Sequence, residues 1–201
     1  MKKLSVSIKG TTALMMHNDT LTDELHPLTK MSKTLTSKKK KTDEDVENIA
    51  LISWSAGLHY KTGIGYYIPS IAFLASIMNA AKIEKKGTDV KRFVSVKNDG
   101  ILKFEHNDML PENLYNIKNT DGTRKYVDRR SAVVNSGKSR VMRTRPFFPE
   151  WEADFEIWFD ENYFNKDTLM NIIQKAGQII GLLDMRPRYG LFEITNIKEV
   201  K

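Results

Sequence analysis

Between Arg124 and Arg145 the chain sets eight basic residues against one acid, Asp128, a local charge of +7. The eight are Arg124, Lys125, Arg129, Arg130, Lys138, Arg140, Arg143 and Arg145, and arginine dominates. A guanidinium presents planar paired donors that match a phosphate and also stacks on a base, so this segment is suited to a polyanionic strand. A second segment, Lys30 to Lys41, has six lysines and no acid, a charge of +6, and closes on Lys38, Lys39, Lys40 and Lys41. Arg186, Arg188 and Tyr189 form a third basic element, among Gly177, Gly181 and Gly190, whose lack of a side chain permits close backbone approach. The first two segments carry a net +13 in a chain of net +7, which leaves −6 on the remainder. That division predicts basic appendages on an acidic body, with cations lined up to displace the counterions of a phosphate backbone. Solvated surface loops carry runs of like charge too, so the segregation needs a structural test.

Other chemistries have thinner support. His17, His26, His59 and His106 are the only side chains that titrate near neutrality without a shift. An RNA-cleaving protein would use His17 or His26 as the base, with Tyr189 or a lysine at the oxyanion. Gly137-Lys138-Ser139 imitates the end of a phosphate-binding loop, but the earlier glycine that such a loop needs is replaced by Ala132. Asp19, Asp23 and Glu24 lack a further ligand at convincing spacing, so neither a metal nor another cofactor is expected. The absence of cysteine excludes disulfides, thiolate zinc sites and cysteine nucleophiles.

These residues need elements to position them. Leu4, Val6 and Ile8 alternate with polar residues as in a half-buried strand. Thr42 and Asp45 open a helix from Asp43 to about Leu58, with Val46, Ile49, Ala50 and Trp54 as its stripe. Ser70 is expected to cap a helix over Ile71 to Lys85, with a wide apolar face of Ile71, Leu74, Met78 and Ala81 on one side and Phe73, Ile77 and Ala80 beside them, and Gly87 closing it. Ile101 to Phe104 reads as a short strand and Asn107 to Gly122 as a loop. Tyr126–Val134 and Arg140–Arg145 flank a five-residue turn and predict a hairpin. Trp151, Ala153, Phe155, Ile157 and Phe159 make one face of the clearest strand, with Trp158 on its polar side. Asn165 caps a helix whose Leu169, Ile172, Ile173, Ala176 and Ile180 recur at helical spacing; a strand over Leu191 to Ile197 ends the chain. The order predicts an α+β fold, a ferredoxin-like or RNA-recognition-type β-α-β-β-α-β core. Its insertions are a lysine-rich loop and a basic hairpin, about residues 17–42 and 106–146. With 201 residues, 40% of them hydrophobic, one domain over 1–201 is expected. The first ten residues alternate too strictly for a signal peptide, and no stretch reaches the roughly 18 to 20 apolar residues of a membrane span, so a cytoplasmic protein without a membrane partner is expected.

Tyr67-Ile68-Pro69-Ser70 before an apolar helix resembles the start of the first helix in the repeat-associated mysterious protein superfamily, which includes backbone subunits of CRISPR effectors. Gly177 to Gly190 resembles that superfamily's glycine-rich loop, and the inserted basic hairpin occupies the place of its thumb-like hairpin. The glycines here are sparser, and the basic residue often found early in that helix is missing from Ile71 to Ala75. The stretches Ser139 to Pro146 and Asp184 to Glu193 are similar to a phage and prophage protein family, which suggests a viral source, with the host cytoplasm as its location, and no activity. The superfamily resemblance implies single-stranded DNA or RNA lying across side-by-side subunits of a homo-oligomer or filament. Two other classes stay open: a metal-independent RNA endonuclease using His17 or His26, and a phage structural or assembly protein.

A non-catalytic binder that engages about seven phosphates should show log affinity falling with log salt at a slope of roughly −5 on single strands. A salt titration of oligonucleotide affinity measures this, and a slope near zero would remove the backbone-recognition reading.

Overall fold

The computed structural model describes residues 1–134 and 139–200. They gather into two compact units: Met1–Leu14, Tyr60–Asp108 and Pro149–Lys201 form unit 1, and Met15–His59 with Met109–Phe148 form unit 2. In chain order the elements are β1 (Lys2–Gly10), β2 (Leu14–Met15), α1 (Pro27–Thr36), α2 (Asp43–Ala56), β3 (Tyr60–Lys61), β4 (Gly65–Ile68), α3 (Ser70–Ile83) and α4 (Gly87–Phe93). Then follow β5 (Val94–Val96), β6 (Gly100–Lys103), α5 (Pro111–Leu114), β7 (Val127–Val134), β8 (Ser139–Phe148), β9 (Glu152–Phe159), α6 (Lys166–Lys175) and β10 (Phe192–Val200). Among the described residues no helix is long and apolar enough to cross a membrane.

Unit 1 is built on a seven-stranded sheet in the order β10-β1-β9-β6-β4-β3, with β5 also paired to β9. Strand β9 is its pivot. One edge lies antiparallel to β1, with Leu4 opposite Ile157, Val6 opposite Phe155 and Ile8 opposite Ala153. The other edge takes β5 at Val96–Ile157 and β6 at Leu102–Ala153. With β10 beyond β1, the first and third core strands are central and the second and fourth flank them, as in a ferredoxin-like β-α-β-β-α-β core. The alternation expected of β1 and β9 holds: Leu4, Val6, Ile8, Ala153, Phe155, Ile157 and Phe159 are all buried. Phe73 of α3 stacks on Phe155, centroids 4.4 Å apart, and Leu169, Ile172 and Ile173 supply the buried face of α6. Each such side chain, fully buried, stabilises the fold by about 1.5–3 kcal/mol. The Asn165 cap forms as expected, its side chain accepting from Thr168 N at 2.7 Å.

Several local expectations are corrected. Ser70 is the first residue of α3 rather than its cap, and its N–H donates to Asp99 at 2.8 Å. Of the wide apolar face expected on α3, Phe73, Ile77, Ala80 and Ala81 are buried, joined by Ser76, while Ile71 stands 73% exposed. The helix is apolar nearly all round, so periodicity left its rotation open; the buried Ser76 hydroxyl, donating to Gly181 O at 2.8 Å, lies on the inward face. Gly87 does not close α3. It starts α4, and Lys85 makes the turn between them at φ +59°.

Unit 2 holds both predicted insertions apart from residues 106–108, together with α2 between them. The lysine-rich segment is not simply a loop: Pro27 starts α1 and the His26 side chain caps it, Nδ1 accepting from Leu28 N at 3.2 Å. Only residues 37–41 lie beyond that helix. In α2 the capping box of Thr42 and Asp45 forms as read. Ala50, Ile52, Trp54 and Ala56 are buried, whereas Val46, expected in the stripe, is 39% exposed. The expected loop over 107–122 contains α5. Strands β7 and β8 form the predicted hairpin and, with β2, a three-stranded sheet in the order β2-β8-β7. The buried Trp54 indole N–H donates to Tyr126 O at 2.7 Å, which ties the base of this ribbon to α2.

Gly122 and Gly190 both have positive φ, +83° and +75°. A Cβ at Gly122 meets nothing within 4 Å, but one at Gly190 would lie 2.1 Å from Leu182 O. Gly122→Ala should therefore cost about 1–2 kcal/mol for the left-handed backbone alone. Gly190→Ala adds the clash and should cost more than about 3 kcal/mol, a difference that urea unfolding of the two variants will show.

Candidate nucleic-acid interface

The register of the hairpin sorts its arginines onto two faces, because directly opposed residues of an antiparallel pair project to the same side. Asp128 opposes Arg145 and Arg130 opposes Arg143, which puts these four on one face. Arg129 opposes Thr144 and Arg140 opposes Val133, on the other. Opposed like charges destabilise a ribbon, and Arg130 facing Arg143 is such a pair. Asp128 offsets it by forking onto Arg130, Nε at 2.7 and 2.8 Å from the two carboxylate oxygens. Arg140 and Arg143 are exposed, and among the described residues no carboxylate pairs with either. Val133 and Met142, 54% and 60% exposed, lie on the same face as Arg140. Lys138, also expected at the interface, lies outside the described residues.

Carboxylates hold several of the other candidates in unit 2. Lys38 pairs with Asp45 at 2.6 Å, and Asp45 is held below the usual carboxylate range by that contact first and by the Thr42 N–H next. Glu47 takes Arg124 at 2.7 Å and Arg129 at 3.5 Å. The Tyr115 hydroxyl donates to the same carboxylate at 3.0 Å, while Arg124 lies over the Tyr115 ring, 4.2 Å from its centroid. Lys39 and Lys40 are exposed, and Lys41 Nζ donates to Lys38 O at 2.9 Å. Lys125 lies 5.8 Å from the Tyr126 ring centroid.

The expectation of an acidic body is overturned by this arrangement. Unit 2 has fifteen Lys and Arg against ten Asp and Glu, a charge of +5, and unit 1 has seventeen against fifteen, a charge of +2. The acids that made the remainder negative therefore lie in the same unit as the basic segments, where three of them engage four cations, Glu24 with Lys33, Asp45 with Lys38 and Glu47 with Arg124 and Arg129, while Asp128 within the arginine-rich segment engages Arg130.

In unit 1 the loop from Gly181 to Gly190 is pinned by its backbone. Leu182 N donates to Gly190 O at 2.9 Å, and Gly190 N donates to Ala13 O at 2.8 Å. Gly177 packs so closely that a Cβ there would lie 2.2 Å from Phe192 O. On this frame Arg186 and Arg188 are exposed, and the Arg188 guanidinium lies 5.7 Å from the half-buried Tyr189 ring. The polar side of β9 is charge-balanced rather than basic. Glu152 pairs with Lys9 at 3.7 Å, Glu156 with Lys3 at 2.9 Å, and Asp154 with Lys103, which holds the Asp154 carboxyl low. Trp158 has Lys97 over its ring at 4.3 Å. Phe148, another possible stacking ring, is fully buried in unit 2. Among the described residues no group of three metal-ligating side chains comes together.

No protein-family model matches the chain, and no curated protein matches its sequence. A solved chain similar in structure belongs to a type III-B Cmr-beta assembly bound to cognate target RNA, with a TM-score of 0.54 and 12% identity. The likeness covers 100% of this chain and 61% of that one, so the protein spans about three fifths of the length of its structural neighbour. At this identity the likeness shows the fold alone, a mixed α+β arrangement.

Lys118 and Glu47 are the contributors that the sequence did not disclose. Lys118 bridges Arg124 across a tight turn in which Asn119 N donates to Thr123 O at 2.8 Å and Gly122 N to Asn119 O at 3.0 Å. The Asp121-Gly122 pair signals a turn, and folding the chain back there would have placed Lys118 beside Arg124. Glu47 had no comparable signal, since its partners lie some 70 residues away. In unit 1, Lys82, Lys85 and Lys91 surround a hollow of about 440 Å³ with Gly87 and Thr88, again outside the expected segments.

Burial, and then the hydrogen bond to Glu47, pushes the Tyr115 hydroxyl up to about 12. A raised phenol contributes stability that is present below the unfolded value near 10 and is lost as pH rises through the folded value. In an ultraviolet difference titration the buried Tyr115 should ionise at about pH 12. Glu47→Gln should bring that step to lower pH, and an unchanged step would separate Tyr115 from Glu47.

Proposed function

We propose that the protein binds single-stranded nucleic acid without cleaving it, through the phosphate backbone and with little sequence preference. The observation that carries this reading is the exposed Arg140 and Arg143 on the β7–β8 ribbon, left without carboxylates among the described residues while like-charged Arg130 opposes Arg143. A fold that needed the ribbon only for packing gains nothing from that arrangement, whereas a strand of phosphates would relieve it. Arg124, Lys125, Arg129, Arg130 and Arg145 lie on or beside the same ribbon, Lys138 falls between its two strands in sequence, and Lys38 to Lys41 lie elsewhere in unit 2. In unit 1, Arg186, Arg188 and Tyr189 stand on a loop rigid enough to present donors and a stacking ring at little ordering cost.

The RNA-bound state of the structural neighbour supports RNA as one ligand class, and the resemblance to a superfamily of side-by-side subunits supports a homo-oligomer or filament along the strand. A phage origin and a place in the host cytoplasm belong to the same proposal. No cofactor enters it, because phosphate contacts by Arg and Lys require none.

Gel shifts with single-stranded RNA, single-stranded DNA and duplex DNA, with the products run on a denaturing gel, test this reading. The expected result is a salt-sensitive shift of single strands, intact products, and a drop of at least about tenfold in affinity for Arg140→Ala/Arg143→Ala, since each phosphate contact contributes to a steep electrostatic dependence. Strand cleavage that is lost with His17→Ala would replace the binder by an endonuclease. The absence of any shift at low salt would leave the structural or assembly role.

A further inference from the structure

Lys118, Gly122, Thr123, Arg124, Val127 and Arg129 wall a hollow of about 480 Å³ in unit 2. Three of the six are cations. The turn Asn119–Thr123 brings Lys118 beside Arg124, and Glu47 gathers the two guanidiniums from separate places in the chain onto one carboxylate. Asp121, the acid within the turn, is engaged by Thr123, accepting from its N at 2.9 Å and its hydroxyl at 2.5 Å. Arg124 Nε is buried and makes no hydrogen bond among the described residues. A buried donor without an acceptor is costly unless something supplies one, and here it belongs to a residue lining a cationic hollow. The Tyr115 ring beneath Arg124 and the Glu47 carboxylate restrict the guanidinium before any ligand arrives, so little side-chain entropy remains to be lost on binding.

We propose that this hollow is a discrete seat for one phosphate group, gripped by Lys118, Arg124 and Arg129, with Glu47 as the positioning residue that sets both arginines. The inference builds on the nucleic-acid reading only for where the phosphate comes from: an internal phosphodiester of a strand or its terminal phosphate. Glu47 also faces the same arginines with a negative charge, so it fixes their geometry while lowering the affinity of the seat for an anion. That makes the seat selective for ligands whose phosphate is presented along with other contacts.

The test uses the full chain labelled with nitrogen-15 and inorganic phosphate as the probe. Arg124 and Arg129 side-chain N–H resonances should shift saturably at millimolar phosphate, and Lys118→Ala should weaken that titration by at least about fivefold while Lys97→Ala leaves it unchanged. Glu47→Gln keeps an acceptor oxygen for Arg124 and removes the opposing charge; it should tighten phosphate about fivefold without raising the melting temperature, a change that a merely structural carboxylate would not produce. The same variants are then measured on a single-stranded oligonucleotide with and without a 5′-phosphate. Equal weakening of both by Lys118→Ala identifies an internal phosphodiester, and weakening of the phosphorylated strand alone identifies a terminal phosphate. If strands bind but neither guanidinium shifts with phosphate up to about 10 mM and Lys118→Ala is neutral, the seat is overturned while the strand-binding reading stands. If phosphate titrates the seat and no strand binds, the seat stands and the strand-binding reading fails. Weaker phosphate binding by Glu47→Gln would overturn the role given to Glu47.

Discussion

Unit 2 carries more cations than its carboxylates can hold, and where those carboxylates go decides what the unit can bind. Glu47 is the clearest case. It reaches Arg124 and Arg129 from α2 and also accepts from Tyr115, so one acid sets two arginines and a phenol. Asp128 holds its own-strand neighbour Arg130, and Asp45 holds Lys38 while closing the helix cap at Thr42. In each case the acid has a structural duty besides neutralisation, so it stays in place and the cations beyond its reach remain exposed. Of these pairs, those of Glu47 are the ones open to water, and ion pairs screened in that way are individually weak.

The ribbon that presents the remaining arginines depends on an anchor at its base. Trp54, fully buried on α2, donates to Tyr126 O immediately before β7. A two-stranded ribbon is marginal by itself, and here it gains β2 as a third strand and α2 as a packing partner. The burial of Pro146 and Phe148 belongs to that base, while Arg140 to Arg143 lie toward the exposed end. Sequence and function separate along one strand: apolar where β8 is packed, basic where it stands in solvent.

Much of this was legible in the sequence where the physical signal is local. Strands β1 and β9 alternate strictly because one face is buried and the other is wet, and the hairpin shows as two extended runs about a polar turn. The cap residues Thr42 and Asn165 act through the backbone of their own helices, so their signatures are short. What could not be read depends on distant partners. The rotation of α3 is settled by packing, with Ser76 bonded to Gly181, 105 residues away. The helix α1 was missed because its polar, lysine-rich surface looks like a loop, yet Pro27 and the His26 cap start it. Net charge misled for the same reason: a sum along the chain cannot show that the acids of α2 lie in the same compact unit as the arginines they engage.

The candidate contacts differ most in how much freedom each must lose to hold a phosphate, and that ranks them. Arg124 and Arg129 are already set by Glu47, so their cost would be the repulsion between that carboxylate and the phosphate rather than the ordering of a side chain. Arg186 and Arg188 stand on a loop whose ends are fixed by Leu182–Gly190 and Gly190–Ala13 backbone bonds, so only their side chains remain to be ordered. Arg140 and Arg143 project from a regular ribbon under the same condition. Lys39 and Lys40 follow the end of α1, outside any helix or strand, and their ammonium groups are point charges on flexible stems. Because ordering a long side chain costs on the order of 0.5–1.5 kcal/mol, the lysine run would, in the proposed binding, serve the approach of a strand more than its retention. Retention would fall to the arginines, which stand on a paired ribbon, a pinned loop or a shared carboxylate.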